Sequence, residues 1–162
     1  MSMQESLEKR RSVYQLNKEL PVPAAEVTSL VERLTELVPD AFNMKSQRVV
    51  VALGAKQDEL WDTIYDVFGG KVARENMFKN AAGTVLFFID DATVASMQEQ
   101  FPRYAENFGP WSEQSNGMLQ IAVWSGLRDL GIGANIQHYN PVIDEKVHEL
   151  FGLPESWRLR AQ

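Results

Sequence analysis

No cysteine occurs anywhere in the 162 residues. That absence excludes disulfides, thiolate nucleophiles and cysteine-ligated metals, and it agrees with a reducing compartment. Histidine is nearly missing too: His138 and His148 stand alone, with no third ligand at metal-binding spacing. Asp144 and His148 share a helix face four residues apart, which reads as a surface pair rather than a metal site. Long apolar runs are lacking, since nothing approaches the roughly 18 residues needed to span a bilayer. The polar opening residues suggest no secretory signal. There is no surplus of positive charge: 16 basic against 22 acidic residues give a net −6. Displacing counterions from phosphates, the main drive for nucleic-acid binding, therefore has no basis. No Walker loop or Ser-His-Asp signature is present, and Gly131-Ile132-Gly133 follows a helix rather than a strand, unlike a dinucleotide loop. A soluble, cytoplasmic protein with no nucleic-acid and no membrane partner is expected.

What is present is an ordinary globular mixture, 44% hydrophobic and 23% charged, of a length suited to one domain spanning residues 1–162. A short helix is expected over Glu5–Arg11, polar first and basic last. Leu20–Pro23 is extended because each proline biases its predecessor away from helix. Val27, Leu30, Val31, Leu34, Leu37 and Val38 repeat at helical spacing up to Pro39. Arg48–Leu53 and Thr84–Ile89 read as buried strands, each followed by a helix, Lys56–Phe68 and then a stretch to about Gln100. Lys71–Ala82 has no clear period. An aromatic connector, Phe101–Trp111, precedes the longest helix, Ser112–Leu130. A short strand at Ala134–Gln137, a helix at Asp144–Phe151 and a strand at Trp157–Ala161 complete the pattern. Four strands alternating with at least five helices imply a sheet covered by helices.

Three stretches carry possible chemistry. Arg10-Arg11-Ser12 sets two guanidinium groups and a hydroxyl where a helix turns extended, a good match to phosphate oxygens. On spacing alone, a solvated basic helix end is the better reading. Pro39–Arg48 carries amides and a cation between a helix and a buried strand, suited to a polar heterocycle edge, although taken alone plain turn chemistry is the better reading. Phe101, Tyr104, Phe108 and Trp111, bracketed by prolines, serve equally as core or as a wall over a flat ligand.

Taken together, several pieces resemble the FMN-dependent nitroreductase family. These are Arg10-Arg11-Ser12-Val13-Tyr14, Ala41-Phe42-Asn43, Glu99–Tyr104, Trp111–Gln120, Gln137–Pro141 and Leu153–Trp157. The branch they are nearest to is the fatty-acid-repression-mutant-like and copper-induced nitroreductases. The resemblance runs from Glu5 to the last residue. It implies an α+β three-layer sandwich with a central mixed β-sheet flanked by helices. It also implies FMN as cofactor, NADH or NADPH as electron donor, and a homodimer that reduces nitroaromatics or quinones by ping-pong hydride transfer. Arg10, Arg11 and Ser12 would hold the FMN phosphate, ribityl chain and pyrimidine edge. Pro39, Asp40, Ala41 and Asn43 would approach the ring from a partner subunit, and Gln137 and His138 would direct backbone amides at its N5 region. Phe42, Phe101, Tyr104 and Trp111 would line the face used by small aromatic acceptors. The flavin carries the chemistry, so no catalytic side chain is assigned and no metal is expected.

The pattern departs from the family in places. Tyr14 stands where many relatives have lysine, and Met44-Lys45 stands where Ser-Gln is more usual. The Lys71–Asn80 stretch is short. The chain ends at Gln162, where relatives continue into a tail with a further basic phosphate ligand and dimer contacts, so a domain lacking that tail is expected. These departures keep open an alternative, a flavin-binding regulatory or stress-response protein with little turnover. A cofactor-free structural domain is a further alternative.

Overall fold

The computed structural model describes residues 2–162, the side chain of Glu75 excepted. Its sheet has three strands, β1 (Gln47–Leu53), β2 (Gly83–Asp90) and β3 (Trp157–Ala161), in the order β1-β2-β3. Both pairings are antiparallel. The β1–β2 register is regular, from Gln47 opposite Ile89 to Leu53 opposite Gly83. Since strand side chains alternate, Leu86 and Phe88 enter one core while Phe87 enters another. Beside β3 the register slips between Phe87 and Phe88, so Leu159 faces Phe88, Ala161 faces Phe87, and Arg160 is the extra residue of a bulge.

Helices cover both faces. Toward Leu86 and Phe88 lie α3 (Ala55–Val67) and α6 (Asp144–Phe151), contributing Leu60, Trp61, Ile64 and Val147. Toward Phe87 lie α2 (Ala24–Leu37) and α5 (Ala105–Asp129), with Val27, Val31, Leu119, Val123 and Leu127 inward at helical spacing. The N-terminal α1 (Met3–Lys9) opens with a Ser2–Glu5 capping box and is tied to α5 by the Ser6 hydroxyl, 2.7 Å from Asp129. A third cluster, Met44, Ile89, Val94 and Phe108, seats α4 (Asp91–Gln100), whose N-cap is Asp90. The α+β three-layer sandwich is therefore observed.

Three expectations need correction. The sheet is antiparallel rather than mixed among the described residues, and parallel pairing is confined to one bridge between Ser12 and Ala134. Ala134–Gln137 forms no ladder strand: its backbone makes only isolated bonds, Ala134 with Val13 and Gln137 with Gln162, and the Asn135 side chain reaches across to the Val13 carbonyl. The long helix starts at Ala105 rather than Ser112 and runs through Pro110. A proline so near the start leaves only the carbonyl of exposed Glu106 without its helical donor, a group water can reach.

Candidate active site

The expected site residues fall into two groups. The first forms where the chain leaves α1. That helix ends at Lys9, so Arg10 is already extended, with φ −66° and ψ 127°. Its guanidinium lies 4.1 Å from the centre of the Trp124 ring. Arg11 is exposed and donates only to the Arg10 carbonyl, at 2.7 Å. Among the described residues neither arginine has a carboxylate partner, so both charges are available to an anion. Ser12 bridges Ala134, and the Val13 amide donates to the Ala134 carbonyl at 3.0 Å. Arg10, Arg11 and Ser12 are thereby drawn to the segment holding Gln137 and His138. Of those two backbone amides, that of Gln137 is used, donating to the Gln162 carbonyl at 2.6 Å. The His138 amide is the one left for a ligand.

The second group surrounds a single helical turn at Ala41–Asn43. Phe42 and Asn43 sit at positive φ, 55° and 52°, which costs energy in residues with a Cβ. Aromatic packing holds the turn there. Phe42 lies 5.0 Å from Phe101, 5.6 Å from Tyr104 and 5.3 Å from Phe108, and stacks on Trp111 at 5.8 Å and 22°. Phe42, Phe101 and Tyr104 remain exposed, so these side chains form one cluster open to solvent. Ser115 anchors the approach by donating to the Pro39 carbonyl at 2.9 Å. Asp40 accepts from the Ser46 amide and hydroxyl at 2.8 and 2.7 Å through Oδ2. Its Oδ1 is buried with no partner.

A feature the sequence reading missed joins the groups. From Asp40 and Ser46 a line of side-chain hydrogen bonds passes through Gln47 and Asn116 to Gln120. Gln120 lines a cavity of about 440 Å³ that Gln137 and Trp124 also line. The available signal was a polar row at helical spacing, Ser112, Asn116 and Gln120, on the longest helix.

Other polar clusters are structural. Arg158 binds Asp91 at 2.9 and 3.0 Å and Glu113 at 2.8 Å, and Arg160 binds Glu113 at 2.9 Å, fastening β3 to α4 and α5. His148 sets its ring nitrogens against the carbonyls of Asp144 and Trp157, at 2.7 and 2.5 Å, and ties α6 to β3. No cluster of three metal-ligating side chains exists among the described residues, and none of their helices is long and apolar enough to cross a membrane. The site can therefore hold a phosphate at Arg10, Arg11 and Ser12. It can offer an unsatisfied acceptor at Asp40 and a flat surface at the aromatic wall.

The chain is similar to known proteins over nearly its whole length. A family model described as the nitroreductase family matches residues 7–162. The nitroreductase FRM2 of Saccharomyces cerevisiae is 31% identical over 158 residues, covering 94% of this chain and 81% of the relative. The structure of nitroreductase CinD from Lactococcus lactis in complex with chloramphenicol superposes with a TM-score of 0.93 at 42% identity, covering 99% of this chain and 86% of that one. A nitroreductase structure from Saccharomyces cerevisiae gives 0.88 at 29% identity, covering 98% and 90%.

Proposed function

The chain belongs to the nitroreductase family, a family of oxidoreductases, and from that premise we propose that it is an FMN-dependent NAD(P)H reductase of nitroaromatics or quinones, acting as a cytoplasmic homodimer. The observation that carries the reading is the carboxylate-free guanidinium pair of Arg10 and Arg11, held beside Ser12. Charges left without a protein partner at a folded junction suit a phosphate, to which arginine forks bond strongly.

The residues present fit the cofactor. Arg10, Arg11 and Ser12 would hold its phosphate end, and the free His138 amide would donate to its ring. Pro39, Asp40, Ala41 and Asn43 of a second subunit would complete the edge, where the buried, unpartnered Asp40 Oδ1 awaits a donor. The flavin, when bound, supplies the ring that accepts hydride from NAD(P)H and delivers it to the acceptor. Phe42, Phe101, Tyr104 and Trp111 stack flat substrates and exclude water from that face. Related chemistry supports this choice: the Lactococcus lactis relative has been crystallised with nicotinic acid, chloramphenicol and 4-nitrophenol. A dimer would also cover Phe42, Phe101, Tyr104 and Met118, which one chain leaves exposed.

The test is FMN titration of apo-protein. Losing a charge-assisted bond costs roughly 1.5–3 kcal/mol, so Arg11→Ala should weaken FMN by about one to two orders of magnitude. Unchanged affinity in both Arg10→Ala and Arg11→Ala would sink the assignment. One shared face further requires parallel initial-rate lines when acceptor is varied at several NADPH concentrations. Intersecting lines would require two separate sites.

A further inference from the structure

Arg10 and Arg11 are neighbours in sequence but are held in different ways. Arg11 is exposed, and its side chain is tied only to the Arg10 carbonyl. Arg10 is partly buried, and its guanidinium carbon lies over the Trp124 ring, 4.1 Å from the centre. At that distance the electron-rich face of the indole attracts the cation directly. The ring has no carboxylate oxygens, so it holds the charge without capping the N–H fork that an anion would use.

The ring is itself fixed. Trp124 belongs to α5, and its indole N–H donates to the Ala134 carbonyl at 3.2 Å. The same carbonyl accepts from the Val13 amide at 3.0 Å, so one oxygen joins α5 to the extended chain that follows Arg10. Val13 is also bonded through its own carbonyl, which accepts from Asn135 Nδ2 at 2.7 Å. Gly133 permits this approach, since an added Cβ would meet the Val13 side chain at 3.1–3.2 Å. On the other side, the Arg10 amide donates to the Ser6 carbonyl at 3.0 Å, and the Ser6 hydroxyl is bonded to Asp129, later on α5. The backbone is therefore fastened both before and after Arg10, and Trp124 settles where its long side chain goes.

We propose that Trp124 is a positioning residue for the cofactor phosphate: its ring face holds the Arg10 guanidinium in place before the phosphate arrives. Little side-chain freedom then remains for Arg10 to lose on binding. Arg11 has no such support and is ordered only by the anion itself. The proposal rests on the reading of Arg10 as a phosphate ligand.

The experiment compares FMN with riboflavin, which lacks the phosphate, by fluorescence titration of the flavin-free protein. A change that merely disturbs the fold weakens both flavins together, whereas loss of phosphate positioning weakens FMN alone, so the readout is the FMN-to-riboflavin affinity ratio. Arg10→Ala should lower that ratio by about one to two orders of magnitude. Trp124→Leu should lower it by about three- to tenfold, the range for one cation–π contact. Trp124→Phe keeps an aromatic face and should restore most of the ratio. In the Arg10→Ala background Trp124→Leu should change the ratio no further, because the coupling runs through that arginine. Trp124→Met serves in place of Trp124→Leu if the leucine variant does not fold. A ratio lowered by Arg10→Ala but untouched by the Trp124 substitution would overturn the positioning role and leave the cofactor reading standing. So would equal losses in the leucine and phenylalanine variants, or a loss that persists in the Arg10→Ala background. A ratio unchanged in Arg10→Ala would sink the cofactor reading and the positioning role together.

Discussion

The two faces of the sheet are made by the same strands but finished differently. Toward α3 and α6, Leu60, Ile64, Leu86, Phe88, Ile143 and Val147 are all fully buried. Toward α2 and α5, Val31 and Leu119 are as deeply buried, yet Val49, Val51 and Val85 stay partly open. The cause lies in what roofs each face. Gly126 lets α2 pack hard on α5, where an added Cβ would meet the Leu30 and Leu34 side chains at 3.1–3.3 Å. The Gly83–Val85 end is roofed instead by the irregular Val13–Pro21 segment, and there the cavity opens. One face supplies the rigidity and the other keeps room for a ligand.

Truncations should show the contrast at its largest. Leu60→Ala should cost about 2–5 kcal/mol in urea unfolding, because its site is closed on all sides. Val85→Ala should stay within about 1 kcal/mol, since that side chain already borders open space. Comparable losses would erase the distinction between the faces. Enlargements should show it in reverse and more weakly. Leu86→Phe should cost about 1–3 kcal/mol through overpacking, whereas Val85→Leu should leave the melting temperature nearly unchanged.

Filled and unfilled sites recur among the carboxylates, with smaller effects. Burial pushes Asp90 up, but bonds from Ser156 and Thr93, the Arg48 charge and the Ala92 amide outweigh it and hold its carboxyl below the ordinary value. Its contribution is therefore complete above about pH 3.9 and lost as pH falls through the lower folded value. Asp90→Ala should cost about 0.5–2 kcal/mol at neutral pH by uncapping α4, with the deficit shrinking in acid. Asp144 is the reverse. Burial raises it against the pull of His148 and Arg160, and its Oδ1 has no partner. Stability linked to Asp144 is lost as pH climbs through its raised value. Relative to Asp144→Asn, the parent protein should weaken between about pH 3 and about pH 7, within about 2 °C in melting temperature. A constant difference across that range would remove Asp144 from the account.

Sequence patterning revealed the layers but not their finish. The apolar strands, the helix over Asp144–Phe151 and the last strand stand where periodicity put them, because burial on alternate residues or on a helical stripe writes itself into neighbouring positions. Pro110 misled the reading of α5, since a proline marks a boundary only where the helix cannot spare the bond. The fourth strand failed because the partners of Ala134–Gln137, Val13 and Gln162, lie outside any neighbouring strand and give it only isolated bonds. Aromatic residues of the candidate site were legible from their density. The Gln47–Asn116–Gln120 line was not, since its direction is set by carbonyls of Ser112 and Phe88 that no spacing rule encodes.

The bulge at Arg160 bears on how the molecule comes apart. In a regular strand Leu159 and Ala161 would share a side. The extra residue sends them to opposite cores, so five residues of β3 belong to both layers at once. Neither layer can open without stripping that strand from the other. The amides of α3 and those of the middle of α5 should therefore exchange their hydrogens through one shared opening event, with the same free energy and the same denaturant dependence.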